Sequence, residues 1–147
     1  MASTNPTPAN DRLESFGIYQ LACQLFQDFW PDSEIMGKDY RGRELVKQQV
    51  RSLDSILANI EEGFGRGFGK ELPQHLKIAR GEARESRGCY SRSNHLLPAD
   101  LIQNRQATLD HIIGGLTNTI NTIESKQRRL ADAPAPRHPS SATCHSL

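Results

Sequence analysis

Residues 46–70, VKQQVRSLDSILANIEEGFGRGFGK, decide the architecture. Val46, Val50, Leu53, Leu57, Ile60 and Phe64 recur at alternating steps of four and three, which places them on one stripe of a helix. The glycines from Gly63 to Gly69 then stop that helix. The same rhythm appears on both sides. Upstream, Ile18, Ala22, Leu25 and Phe29 step four, three, four, and Pro31 is expected to end their helix. Downstream, Leu72, Leu76, Ala79, Ala83, Ser86 and Tyr90 mark a third helix, whose small residues let a neighbour approach closely. Past Pro98, Leu109, Ile113, Leu116, Ile120 and Ile123 mark a fourth. No segment alternates like a strand, and 31–43 is the one long connection without a helical rhythm. Four such stripes joined by short loops predict an all-α fold, an antiparallel up-down four-helix bundle over residues 11–130.

The flanks differ in kind. Residues 1–10 carry Pro6 and Pro8, and residues 131–147 carry Pro134, Pro136 and Pro139 with Leu147 as one large apolar residue. Neither segment can bury enough surface to offset its ordering entropy, so both read as disordered tails. They account for part of the low hydrophobic share, 36% of 147 residues. No apolar run approaches the roughly 18 residues of a membrane span. The opening MASTNPTPAND has neither the charged nor the apolar region of a secretory signal, and a cytoplasmic location is expected. Cys23, Cys89 and Cys144 are odd in number and scattered, which fits reduced thiols rather than a disulfide framework. Cys144 and His145 together supply two metal ligands where a zinc site needs about four, so no metal is expected.

Catalytic groupings are thin. A nucleotide-loop reading of Gly63–Lys70 fails on register, since the leading glycine of a Walker loop would fall on Phe64 and Glu71 stands where Ser or Thr should follow Lys70. The run reads instead as an interhelical turn whose glycines supply positive φ, with Phe64 and Phe68 covering the bundle end. The five histidines are dispersed, and Glu61 and Glu62 are adjacent, so they point in different directions on a helix. The E-x-x-H motif of di-iron bundles is absent. Neither an enzymatic activity nor a cofactor is expected.

Charge carries more information by position than in total. With 18 Lys+Arg against 17 Asp+Glu, the chain is not a uniformly basic polyelectrolyte. Yet residues 77–92 hold five Lys/Arg and two Asp/Glu, a local excess of +3. Lys77, Arg80, Arg84 and Arg87 step three, four, three and share one side of the third helix. Arg92 and, across the turn, Arg66 and Lys70 are placed to extend that stripe. One reading is a solvated face paired to Glu82 and Glu85. The other is a phosphate-facing line, which would bind a nucleic-acid backbone with little sequence preference because nothing in it reads bases.

The run Asp54-Ser55-Ile56-Leu57-Ala58-Asn59-Ile60-Glu61-Glu62-Gly63-Phe64-Gly65-Arg66 resembles the S-I-x-x-N-I-x-E-G-F-G-R signature of the 23S rRNA intervening-sequence proteins, small bacterial four-helix-bundle proteins. Ile18-Tyr19-Gln20-Leu21-Ala22 is similar to the opening block of that family, and Leu76-Lys77-Ile78-Ala79-Arg80-Gly81 with Glu85 to a later one. The resemblance spans roughly residues 14 to 125. It implies a four-helix fold, often assembled as a ring-shaped homopentamer, no known catalysis, and a role in nucleic-acid binding. Proteins sharing that fold and ring include the accessory variability proteins of diversity-generating retroelements, so docking on a reverse transcriptase and its template RNA is the alternative partner. Some positions depart from the family pattern. Leu57 stands where proline is usual, so the helix should run unkinked; Asp54 replaces an apolar residue, Glu61 an alanine, and the usual Arg-Arg pair is reduced to Arg51. Asn59 and Glu62, one turn from Gly63 and Gly65, are expected to fix the corner by bonding backbone groups of the turn or a neighbouring helix.

Overall fold

The computed structural model describes residues 12–66 and 69–139. After a helical turn at 12–14, four long helices follow: α1 (Gly17–Gly37), α2 (Gly42–Gly65), α3 (Glu71–Arg92) and α4 (Ala99–Asp132). No strand occurs among the described residues. The helices pack as a bundle around one core, each against its sequence neighbour, with α1 also against α4.

Contacts fix how the helices meet. Between α1 and α2, Phe16, just before α1, packs its ring tilted against that of Phe64 at one end, while the Met36 carbonyl abuts Gly42 at the other. Between α2 and α3, Asn59 meets His75 and Gln49 meets Ser86. Between α3 and α4, Lys77 meets Glu124 and Arg87 meets Asp110. Between α1 and α4, Ile18 meets Gly115 and Asp32 meets Arg105. In each pair, residue numbers rise along one helix as they fall along the other. Short corners suffice for this arrangement. In the first, the Asp39 carboxylate accepts the Arg41 amide and guanidinium, which holds its pKa down to about 2.

The third-helix stripe is buried in full, from Leu72 to Tyr90. On α4, Leu109, Leu116 and Ile120 are buried as the spacing predicts, but Ile112 fills the core while Ile113 and Ile123 are half-buried beside it. On α2 the core line is Gln49, Leu53, Ile56, Ile60 and Gly63. Val46, Val50, Leu57 and Phe64 flank it half-buried, so the apolar stripe read from sequence is turned to one side of the buried line. The reason is chemical: Gln49 donates to Ser86 Oγ at 2.6 Å, so a polar pair stands at a core position, although the Gln49 Oε1 is buried without a hydrogen-bond partner among the described residues. α2 runs unbroken through Leu57, in line with the absence of the usual proline there.

Two expectations are corrected. Pro31 does not end the first helix: α1 continues to Gly37, so 31–37 belongs to a helix and not to a connection. Pro31 lies on the solvent side, where the carbonyl it deprives of a donor can bond water, while Phe29, Asp32 and Met36 beneath it keep the buried rhythm. Nor do Gly63, Gly65 and Gly69 supply positive φ. Gly63 lies inside α2 and serves close approach, because a Cβ there would sit 3.0 Å from the Cβ of His75 and from Leu72 Cδ1. Phe68 and Gly67 lie outside the described residues, as do 1–11 and 140–147 with Cys144 and His145. Residues 131 and 132 still belong to α4, two residues into the segment read as a tail.

Candidate nucleic-acid interface

The third helix positions its cations through the same spacing that buries its core. With Leu76, Ala79, Ala83 and Ser86 turned inward, Lys77, Arg80, Arg84 and Arg87 fall on the side bordering α4. Three of them find partners on that helix. Lys77 Nζ lies 2.5 Å from Glu124 Oε1 and holds that carboxyl below its usual range. Arg80 donates to Thr117 Oγ1 at 3.3 Å, and its Nε is buried without a hydrogen-bond partner among the described residues. Arg87 grips Asp110 through two bonds, at 2.7 and 3.3 Å. Arg84 is exposed and forms no ion pair among the described residues.

The expected pairing to Glu82 and Glu85 is therefore corrected: the carboxylates that answer this stripe come from α4. Glu85 instead accepts from Gln48 of α2, at 3.2 Å. Burial and the neighbouring Glu85 raise the pKa of Glu82. Glu124 gives the pair with Lys77 a definite pH sign. A carboxyl held below its ordinary value stabilises the fold above that value, and the contribution is lost as pH falls through the depressed one.

The corner residues bond locally. Arg66 binds Glu62 at 2.8 Å and Glu71 at 3.1 Å, tying the end of α2 to the start of α3. Lys70, exposed, precedes the first turn of α3. Asn59 donates to the Ser55 carbonyl at 2.8 Å and presents its Oδ1 3.5 Å from His75 Nδ1 on α3. Gly65 faces open space. Arg66 and Lys70 sit at the turn end of α3, with Lys77 the nearest member of the stripe.

Sequence reasoning missed a buried polar knot at the other end. Asp32, 1% exposed, accepts the Tyr90 hydroxyl at 2.9 Å and two bonds from Arg105, at 2.8 and 3.1 Å. Burial first, then the Asp32 carboxylate, keeps the Tyr90 hydroxyl protonated far above its ordinary range. A signal existed. Asp32 continues the step from Phe29 to Met36, and Arg105 lies between Ile102 and Leu109, so each occupies a core position of its stripe.

The described residues contain no group of three or more potential metal ligands, and Cys23 and Cys89 are free thiols. No helix of the described residues is long and apolar enough to cross a membrane. What stands is an all-helical bundle with a basic seam between two of its helices. The chain belongs to the 23S rRNA-intervening sequence protein family, whose model matches residues 14–118. No curated protein and no solved structure matches it.

Proposed function

We propose that this protein is a non-enzymatic, antiparallel up-down four-helix bundle that assembles as a ring-shaped homopentamer and binds the backbone of RNA or DNA. The binding stripe is Lys77, Arg80, Arg84 and Arg87, with Arg66 and Lys70 at its turn end. The observation that carries this reading is Arg84, an exposed cation with no ion pair among the described residues, centred in a row of basic residues. Its neighbours Lys77 and Arg87 are each 41% exposed in their ion pairs. Exposed pairs of that kind contribute little to stability, so a phosphate can take the carboxylate's place at small cost. Family membership favours a nucleic-acid-related role. Trp30, 55% exposed near the corner that also exposes Ile35 and Tyr40, offers apolar surface of the kind subunits cover.

Two measurements test the reading. Light scattering should return a mass near five times the 16.4 kDa of one chain; a monomer removes the ring. Five copies of four cations sum to about twenty charges, so affinity for an RNA duplex should fall steeply with salt. Arg84→Glu, which breaks no ion pair seen here, should weaken that binding tenfold or more without lowering the melting temperature. Affinity that stays flat between low and physiological salt rules backbone binding out.

A further inference from the structure

The geometry points to the outward face of α4, from Asn118 to Arg129, as a second contact surface for the phosphodiester backbone of a nucleic-acid duplex, continuous with the α3 stripe. It rests on the backbone-binding reading above and adds a surface to it.

Asn118, Asn121, Thr122, Ser125, Lys126 and Arg129 follow one another at steps of three, one, three, one and three, which keeps them on the side of α4 opposite its core line Leu109, Leu116, Ile120. All are exposed except Ser125, which is half-buried, and five of them, from Asn121 onward, line one open depression. The composition of this face is selective. Every side chain on it can donate a hydrogen bond, and amide, hydroxyl, ammonium and guanidinium groups are the donors that contact phosphate and sugar oxygens. Between His111 and Ala131 the helix carries one carboxylate, Glu124, and that group is committed to Lys77. Lys126 and Arg129 form no ion pair among the described residues, unlike Lys77 and Arg87. Their charge is therefore fully available to an outside anion.

The same stretch contains no Phe, Tyr or Trp, so it offers no platform on which unpaired bases could stack. That favours a duplex, held by its backbone. From Asn118 to Arg129 the helix rises about 16 Å, enough to bridge phosphates across the roughly 12 Å major groove of B-DNA or to lie along the wide, shallow minor groove of an RNA duplex. Arg80 reaches Thr117 and Lys77 reaches Glu124 along the shared seam, so the α3 cations border this face directly.

The test uses the full-length protein and three labelled probes: a 20-base-pair RNA duplex, the DNA duplex of the same sequence, and the single-stranded RNA. Lys126→Ala/Arg129→Ala should weaken duplex binding tenfold or more, with a salt slope shallower by about two per chain that contacts the duplex. Asn118→Asp/Asn121→Asp changes almost no volume and breaks no hydrogen bond seen here, yet it puts two carboxylates into the face and should weaken binding comparably. Neither double variant should shift the melting temperature. Preference for RNA over DNA would mark contact with the 2′-hydroxyl, and equal affinity would mark phosphate contact alone; both support the surface. If both α4 variants bind like the wild type while Arg84→Glu loses binding, this inference falls and the reading of the α3 stripe stands. Tighter binding to the single strand than to either duplex overturns the duplex assignment. No binding by the wild-type protein to any probe overturns both.

Discussion

Replacing Asp32 by alanine should cost about 3 kcal/mol, because it leaves the Arg105 guanidinium in the bundle with only the more exposed Asp28 carboxylate, 3.8 Å away, as a counter-charge. The Arg105 side chain is only 17% exposed, and its Nε and one terminal nitrogen both end on Asp32. The Tyr90 hydroxyl loses its acceptor as well. Asp32→Asn should cost less, since its carboxamide oxygen still accepts from Tyr90 while Arg105 keeps only the longer pair with Asp28. The combination Asp32→Leu, Arg105→Met and Tyr90→Phe removes every polar member at once, and should recover most of the loss. Urea unfolding followed by circular dichroism at fixed chain concentration measures all three. A single Asp32→Ala variant within 1 kcal/mol of wild type would show that the knot is not the buried ion pair described here.

The second large effect is steric. A Cβ at Gly42 would land on the backbone carbonyl of Met36, with Leu96 Cδ1 3.1 Å away. A backbone atom cannot swing aside as a side chain can, so Gly42→Ala must reopen the corner between α1 and α2 and should cost about 2–3 kcal/mol. Gly81 is the control. Nothing lies within 4 Å of a Cβ there, and it sits in the middle of α3, so Gly81→Ala should raise stability by about 0.5–1 kcal/mol. Melting temperatures of the two variants should therefore move in opposite directions. If Gly42→Ala is neutral, the close approach of Met36 is not what fixes glycine at that position.

The helices were legible because periodicity reports burial directly: on α3 every residue it named is buried, and Pro73 and Cys89 are buried beside them. It misled where a polar group occupied a core position. Gln49 on α2 and Asp32 on α1 break an apolar pattern without breaking the packing, since each finds its partner on another helix. A proline rule misled at Pro31 for a related reason: the solvent side of a helix tolerates what its interior does not. The basic stripe was legible as a stripe, but not in its pairing. Helical spacing keeps Arg87 from facing Glu85, two residues away, but that Asp110 answers it depends on which side of α3 its neighbour covers, and spacing within one helix carries no such information.

The two families of ion pair differ in how they meet salt. In molar salt the screening length shrinks to about 3 Å, and exposed pairs such as Arg87–Asp110 and Lys77–Glu124 lose most of their attraction. Asp32 and Arg105 are shielded by the protein itself and feel far less of it. Ionic strength therefore acts on this molecule from its rim inward. It frees the cations of the α3–α4 seam while leaving the far end of the bundle locked.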